Sequence, residues 1–487
     1  MCIPSIFFCL ITSSIFTLCH AHTPNPYTKE NKCVIAQPVL NMHEECSEES
    51  PLVSQGIYGH SASVIQDVGD GWGLIETEDN YQGYALLSGL IPDDPRWRTS
   101  KRLCRISSIA GMVYPIQDTV RPALLRLSFG SRIELVEDLD SSDARWIEVQ
   151  LLDGRRAWMQ RGDLEKPRTK TREEMIELAH QFIGLPYIWC GTSSEGYDCS
   201  GYIQTLYKEI GVILPRFSQD QAKSDQVFAI PFPEQPGDLL FFGKEEISHV
   251  GMYLGDRKFI HAGVSNNTPR IAISSIDDQP FKLLATRRLK EIAFQANSSP
   301  ITDQIKTKMT HSWREDNPVP LNNLQYILLN YWGFDRCVHQ GELIAHKDVA
   351  NEIIEIFEEL FDKQYPIEKM LLMDTYQADD DLACEDNNSS AFCSRPITGS
   401  TSKWSLHSYG FAIDINTLLN PYQKGDVVVP AHKKDFLDRT IDCHGVITEE
   451  DLCYKAFISR GWKWGGHWYK DFGLVDYQHF EKERSTL

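Results

Sequence analysis

The chain has 487 residues, a length that predicts three or four compact domains rather than one. Hydrophobic residues make up 42% and charged residues 24%, a balance that excludes disordered and collagen-like chains. Lys and Arg total 48 against 68 Asp and Glu, and the resulting net charge of −20 argues against nucleic acid as a partner.

The N-terminal segment, 1–21, has the pattern of a secretory signal. An almost uncharged apolar run leads into Cys19-His20-Ala21, which has the small-residue form of a cleavage site. We therefore expect export to the periplasm or cell envelope, with no membrane span in the mature chain. Three alternatives stay open: a buried N-terminal helix, a membrane anchor, and a lipidated Cys19.

Residues 52–166 contain short alternating apolar runs separated by turns, which predict small β barrels. Two units, 52–100 and 101–166, repeat one outline. They resemble tandem bacterial SH3-like domains, and the resemblance is carried by Asp79-Asn80-Tyr81-Gln82-Gly83-Tyr84 and Gly154-Arg155-Arg156-Ala157-Trp158. It implies that the pair either binds wall polymer or caps a neighbouring active site, with Asp79 and Tyr81 as capping and substrate-binding residues.

A capping box, Thr171-Arg172-Glu173-Glu174, predicts a helix that begins a new domain. In this domain, Cys199 lies at the first turn of a second predicted helix, where the N-terminal amides favour the thiolate. His249 lies on a strand-like run and His261 on the next one. We expect Cys199 to be the nucleophile, His249 the base and His261 the residue that orients the base.

Ordered motifs in this domain, 171–291, resemble the NlpC/P60 cysteine peptidases of bacterial cell walls. The resemblance implies a papain-like α+β fold and cleavage between γ-D-glutamate and the diamino acid of peptidoglycan stem peptides. It also implies that Tyr187 assists the oxyanion and that Asp198 and Ser200 hold the substrate ammonium. The family's Trp-Gly-Gly is here Trp189-Cys190-Gly191, which adds a second thiol near the site. The motifs are Pro186-Tyr187-Ile188-Trp189, Asp198-Cys199-Ser200-Gly201, Leu214-Pro215-Arg216, Pro236-Gly237-Asp238-Leu239 and the His249/His261 pair.

A polar, proline-containing stretch at 292–320 predicts a linker, and 321–487 then forms the last domain. Its chemistry lies in His407 and Asp414, seven residues apart, and in a histidine and a carboxylate three residues apart near the C-terminus. Two imidazoles and one carboxylate, with an open water position, are typical of catalytic zinc. We expect His407, Asp414 and His479 as ligands and Asp476 as general base; manganese or iron also binds such ligands.

This segment resembles the VanY-like M15 metallopeptidases, which are D-Ala-D-Ala carboxypeptidases and related L-alanyl-D-glutamate endopeptidases. The resemblance implies an α+β domain of the hedgehog/DD-peptidase type with one Zn²⁺. It also implies that Arg395 stabilises the substrate carbonyl or carboxylate as charge develops. His467 falls where the family varies and is left out of the ligand set. The matching segments include Asn387-Asn388-Ser389-Ser390-Ala391-Phe392, Asp414-Ile415-Asn416 and Gly461-Trp462-Lys463-Trp464-Gly465-Gly466.

Thirteen cysteines are present, and in an exported protein two pairs are candidate disulfide clips: Cys384 with Cys393, and Cys443 with Cys453.

Taken together, the motifs and the family resemblances predict a multidomain α+β peptidoglycan hydrolase that acts on stem peptides or muropeptides. Two rivals stay open. One is a wall-binding scaffold that has lost activity, and the other is acyl or amide transfer by the cysteine domain.

Overall fold

The computed structural model describes residues 32–141, 144–230, 233–265, 268–397, 403–469 and 473–483. The predicted signal at 1–21 lies outside these residues. The described chain combines several sheets with a few helices, so the mixed α and β class is confirmed. No described helix is long and apolar enough to cross a membrane.

The first sheet is antiparallel, with strand order β3-β2-β6-β5-β4-β1-β7. Alternating side chains of its strands point inward, and Ile35, Met42 and Ile75 are fully buried in its core. It starts at residue 32, ahead of the predicted boundary at 52. Its strands are β1 Lys32–Ile35, β2 Val39–His43, β3 Leu52–Ile57, β4 Ser61–Gly69, β5 Trp72–Thr77, β6 Gln82–Leu86 and β7 Leu90–Pro92, followed by helix α1 Pro95–Arg98.

The second unit has a five-stranded sheet of order β13-β12-β11-β8-β14 and a hairpin of β9 with β10. A single bridge between Tyr114 and Trp158 joins the hairpin to the sheet. Neither order closes on itself among the described residues, and the SH3-like assignment therefore stays a proposal. The strands are β8 Leu103–Ile106, β9 Ala110–Val113, β10 Leu125–Ser128, β11 Arg132–Leu135, β12 Trp146–Gln150, β13 Arg156–Gln160 and β14 Leu164–Glu165.

The third unit packs helices against a six-stranded sheet of order β17-β22-β18-β19-β20-β21. The predicted capping box at Thr171 is confirmed, since its hydroxyl and the Glu174 carboxylate each accept the other's backbone N–H. The elements are α2 Arg172–Gln181, β15 Thr192–Ser193, β16 Gly196–Tyr197, α3 Cys199–Lys208, α4 Ser218–Gln221, β17 Val227–Ala229, β18 Leu239–Gly243, β19 Ile247–Gly255, β20 Lys258–Ser265, β21 Thr268–Ser275 and β22 Lys282–Leu289.

The segment 292–320, which the sequence predicts to be a linker, contributes regular structure to the last unit. Strand β23 Ala296–Pro300 pairs along β24 Leu324–Trp332, which also pairs with β25 Val338–His346. Its polar side chains suit an edge strand, where main-chain hydrogen bonds rather than apolar packing hold the segment.

Helix α6 Lys347–Asp362 lies on this sheet through an apolar stripe that includes Ile353, Ile356 and Leu360. Two small sheets, of order β26-β31-β29 and β28-β27-β30, carry the residues of the predicted metal site. The remaining elements are α5 Asp303–Lys308, α7 Asp380–Glu385, β26 Ala412–Asp414, β27 Tyr422–Lys424, β28 Val427–Val429, α8 Leu452–Ile458, β29 Lys463–Trp464, β30 Leu474–Asp476 and β31 His479–Glu481.

The predicted disulfide clips are wrong, because every described cysteine carries a free thiol. Cys384 instead lies 3.8 Å from the amide oxygen of Gln478, and Cys443 lies 3.6 Å from the Arg96 carbonyl. Cys393 and Cys453 pack in separate apolar clusters. Burial among apolar neighbours, as for any small hydrophobic residue, accounts for these cysteines.

Two candidate catalytic sites

The predicted nucleophile, Cys199, is the first residue of α3 and is 7% exposed. Asp198 caps this helix, and its carboxylate accepts the amide of Gly201 at 2.6 Å. Burial raises the pKa of the Cys199 thiol to about 12, and the charge of Asp198 adds to the shift. The sequence favoured a thiolate from the helix position alone. In the fold, burial outweighs the helix amides, and the resting group is the thiol.

The two predicted histidines lie side by side on β19 and β20. Nε2 of His249 is 2.9 Å from Nδ1 of His261, and Nε2 of His261 is 2.9 Å from the hydroxyl of Ser274. Burial lowers the pKa of His249 to about 3, with a contribution from His261, and lowers that of His261 to about 4. Both imidazoles are therefore neutral at rest, and each can accept a proton only when a negative charge forms beside it.

The backbone connects the nucleophile to this histidine pair. The amide of Val250, which follows His249 in β19, donates a hydrogen bond to the Cys199 sulfur. Ser274 was not predicted as a member of the site; its pairing with His261 depends on the register of β20 against β21, which a single sequence does not reveal.

Gly263 has no side chain, and the space that a Cβ would fill is occupied by the rings of His249 and His261. A Cβ at this position would lie 2.7 Å from Nδ1 of His261 and 3.2 Å from Cε1 of His249. Both distances are shorter than ordinary van der Waals contact. A glycine here thus permits the close approach of the two rings, a role that the local sequence pattern does not reveal.

Asp198 and Ser200, the predicted ammonium ligands, meet a buried arginine. The guanidinium of Arg216 donates to Asp198 at 3.1 and 2.8 Å and to the Ser200 hydroxyl at 3.3 Å. Arg216 is 3% exposed, so this ion pair lies inside the protein. The sequence singled out the Leu-Pro-Arg motif without a role for the arginine. In the structure, Arg216 neutralises the carboxylate beside the nucleophile.

Tyr187 and Cys190 border the same space. Burial raises the pKa of Tyr187 above its ordinary value, and the nearby Cys199 and Asp198 raise it further, so the phenol stays protonated and able to donate. Cys190 is buried with φ of +58°, a left-handed conformation that glycine adopts more easily. This is the position where the family pattern has glycine, and here the thiol replaces it.

Residues of the first sheet reach the edge of the cysteine site. The Asp79 carboxylate accepts the side-chain amide of Gln204 on α3 at 2.9 Å and the hydroxyl of Thr77 at 2.6 Å. The ring of Tyr81 lies edge-on to Phe217, with centroids 5.5 Å apart. The predicted capping residues therefore adjoin the cysteine domain, on the side of Arg216.

The three predicted metal ligands come together in the last unit. Donor atoms of His407, Asp414 and His479 all lie within 4.8 Å of one another, and the three residues are buried. The Asp414 oxygens are 3.1 Å from Nε2 of His407 and 3.0 Å from Nδ1 of His479. The pairing of β26 with β31 places Asp414 directly opposite His479.

Both imidazoles are oriented by a second protein oxygen. Nδ1 of His407 bonds the carbonyl of Ala391, and Nε2 of His479 is 3.4 Å from the Glu481 carboxylate. Burial opposes charge on His479, but its hydrogen bonds to Asp414 and Glu481 outweigh burial and raise its pKa to about 10. An oxygen partner behind each metal-ligating imidazole is the usual arrangement in metalloproteins. The donor set thus fits a divalent cation such as zinc.

Asp476 and Arg395 adjoin this cluster. Burial raises the pKa of Asp476 to about 7, and its Oδ1 atom is buried without a hydrogen-bond partner among the described residues. Arg395 forms an ion pair with Asp380 at 3.1 Å. Burial opposes the charge of Arg395, but Asp380 and Asp414 outweigh burial and raise its pKa above the ordinary value. A carboxylate with an unpartnered oxygen and a guanidinium thus lie beside the three donors.

Comparisons with known proteins match both sites. A model of the NlpC/P60 family matches residues 184–288, and a model described as D-alanyl-D-alanine carboxypeptidase matches residues 398–482. The chain is 30% identical over 233 residues to a γ-D-glutamyl-L-lysine dipeptidyl-peptidase of Bacillus cereus, covering 43% of this chain and 67% of that protein. It is 28% identical over 269 residues to dipeptidyl-peptidase 6 of Lysinibacillus sphaericus, covering 51% of this chain and 93% of that protein.

A solved structure of an NlpC/P60 family protein from Bacillus cereus also aligns with the chain. It is 22% identical, with a TM-score of 0.46, over 53% of this chain and 99% of that one. The family models, rather than this alignment, identify the chain as a peptidase with two peptidase domains.

Proposed function

The chain belongs to the NlpC/P60 family of cysteine peptidases, and on this basis we propose that its cysteine site hydrolyses the γ-D-glutamyl–diamino acid bond of peptidoglycan stem peptides. The observation that carries the proposal is the contact of Cys199 with the strand that bears His249, backed by His261 and Ser274. The name of the Bacillus cereus relative, a γ-D-glutamyl-L-lysine dipeptidyl-peptidase, supports the choice of bond.

Because the Cys199 thiol is protonated and the His249 imidazole is neutral at rest, proton transfer accompanies the attack on the substrate. As the Cys199 sulfur attacks the γ-carbonyl carbon, its proton passes to His249, and the imidazolium then returns that proton to the leaving amine. The Tyr187 hydroxyl donates to the oxyanion. Water, deprotonated by His249, attacks the resulting thioester, releases the glutamyl carboxylate and regenerates the thiol. An amine in place of water at this step gives the transferase alternative.

A substrate with a free amino terminus suits the edge of the cysteine site. Asp198 is paired directly with Arg216, whereas among the described residues the Asp79 carboxylate is hydrogen-bonded by the neutral Gln204 and Thr77 and feels Arg216 only through space. Asp79 is therefore less compensated than Asp198 and better able to bind an ammonium, with Tyr81 packed beside it. The ammonium-binding roles of Asp198 and Ser200 remain predictions.

For the last domain we propose a zinc peptidase acting on D-Ala-D-Ala or L-Ala-D-Glu bonds. His407, Asp414 and His479 would hold the ion, which when bound supplies a Lewis acid that polarises a carbonyl and activates water. Asp476 takes the proton of the attacking water at its unpartnered Oδ1, and Arg395 donates to the carbonyl oxygen as its charge grows.

We also propose export to the periplasm or cell envelope, since stem peptides are found there. The two N-terminal sheets would act as SH3-like units that limit the cysteine site to short stems. Mass analysis of the N-terminus of the exported protein tests the predicted removal of 1–21.

Product analysis tests both activities at once. Purified protein is incubated with L-Ala-γ-D-Glu-L-Lys-D-Ala-D-Ala, its N-acetylated form and muropeptides, and products are identified by mass spectrometry. Cys199→Ala should abolish the L-Ala-D-Glu product and spare the metal-dependent one, while His407→Ala should do the reverse.

Two variants serve as matched controls. Cys190→Ala removes the neighbouring thiol and His467→Ala an exposed histidine, and each should retain both activities. Amides formed with added amines would identify a transferase, and intact substrate in every reaction would favour the scaffold.

A further inference from the structure

A partly open cavity of about 440 Å³ lies where the four units meet. Its lining includes Asp79 and Gln204, at the edge of the cysteine site, but neither Cys199 nor the three metal-type donors. Its wall includes Glu78 from the first sheet, Arg132 from the second, Lys208 from α3, and Arg336 and His444 from the last unit. The volume falls in the usual range for small-molecule sites, about 300–1,000 Å³.

Most charged groups in this wall are already paired. Arg132 donates to Glu78 at 3.1 Å, Lys208 contacts Glu78 at 2.7 Å, and Arg105 bonds Glu209 at 2.7 Å. These pairs connect the units and leave little charge for a ligand. Even so, Lys and Arg outnumber Asp and Glu in the lining of a chain whose net charge is −20.

Arg336 is the exception. Among the described residues, its half-buried guanidinium has neither a hydrogen bond nor an ion pair, and burial lowers its pKa. The neighbouring Asp335 does not compensate it, because both Asp335 oxygens are held by His339 at 3.0 Å. A partly desolvated cation without an anion is unfavourable unless something else supplies the negative charge.

Other donors surround the same space. The hydroxyl of Thr169 lines the cavity and is buried without a partner among the described residues. Burial lowers the pKa of His444 to about 4, and the positive charges of Arg336 and Lys101 contribute to this shift. Two cations therefore lie near the imidazole. Lys101 has only a distant contact with Asp442, at 3.6 Å.

We propose that this cavity binds a small anion that carries carboxylate or phosphate groups, held by Arg336, Lys101 and Thr169. The planar guanidinium suits bidentate contact with either group. Such a ligand would touch all four units and stabilise their arrangement. The proposal goes beyond the peptidase activities and does not depend on them.

Thermal unfolding of the full chain tests the proposal with two probes, inorganic phosphate and glutarate, against sodium chloride at the same ionic strength. At least one probe should raise Tm saturably, because a ligand that binds only the folded state stabilises it. The two probes distinguish a phosphate ligand from a carboxylate ligand. The absence of any rise beyond the chloride control would overturn the proposal.

Arg336→Gln should weaken the apparent affinity at least about tenfold, as expected for the loss of a charge-assisted contact. Arg121→Gln removes the same charge from an exposed position outside the cavity and should respond like the parent protein. An equal response of Arg336→Gln and the parent would contradict the site. If Arg336→Gln does not fold, Thr169→Val provides the second variant.

The catalytically inactive double variant Cys199→Ala/His407→Ala should show the full shift. This separates failure of the anion site from failure of the proposed peptidase activities.

Discussion

The cysteine site and the metal-type site treat buried charge in opposite ways. In the first, burial keeps Cys199 protonated and His249 and His261 neutral, and the one carboxylate beside them is neutralised by Arg216. In the second, hydrogen bonds to Asp414 and Glu481 raise the pKa of His479, and the donor atoms of three buried residues converge within 4.8 Å of one another. One site is complete as an uncharged protein constellation, whereas the other has donors arranged for an added cation.

Metal removal should separate the two sites by the largest margin. A chelator that strips zinc should reduce the activity of the last domain at least about a hundredfold, because several kcal/mol of transition-state stabilisation are lost. The γ-D-glutamyl cleavage should change by less than about twofold. Metal content and both activities are measured in the same samples.

Restoring one equivalent of zinc should restore the lost activity. The contrast between the sites would collapse if chelation reduced both activities in parallel, or if metal-free protein kept the activity of the last domain.

Candidate chemical residues for both sites can be read from the sequence, because each lies in a local motif. Cys199 at a helix start and the His407/Asp414 spacing are visible without a fold. The hydrogen-bond partners of these residues are not visible in the sequence. Ser274 contacts His261 from the neighbouring strand β21, and Arg216 donates to Asp198 from 18 residues further along the chain.

The protonation of Cys199 was also beyond local reasoning. The helix start favours a thiolate, but the degree of burial depends on how β19 and β20 cover α3. Likewise, 296–300 has too few apolar residues to predict a strand, and only the neighbouring β24 makes it one. Tertiary contacts decided both outcomes.

Gly263→Ala should perturb the neutral site without changing any chemical group in it. The new Cβ would displace the His261 and His249 rings, so we expect kcat for γ-D-glutamyl cleavage to fall about 10- to 100-fold. The free energy of unfolding should fall by about 1–3 kcal/mol, as for overpacking elsewhere. Steady-state kinetics and urea unfolding measure the two effects.

Gly162→Ala is the matched control, since nothing lies within 4 Å of a Cβ at that position. Its kinetics and stability should stay close to those of the parent chain. Unchanged kcat in Gly263→Ala would mean that the histidine pair has room to shift without loss of function.

The smallest expected effect is also the sharpest test of the neutral cysteine site. The pKa of His249 is lowered to about 3 and that of Cys199 raised to about 12, so neither group titrates in the free enzyme between pH 5 and 7. An imidazole with an ordinary pKa of about 6.5 would be almost fully protonated at pH 5, and kcat/KM would fall roughly 30-fold. We expect a change below about twofold, since the substrate ammonium also stays charged over this range. An acid limb near pH 6.5 in kcat/KM for γ-D-glutamyl cleavage would instead indicate a solvated histidine with an ordinary pKa, which would contradict the neutral, buried pair.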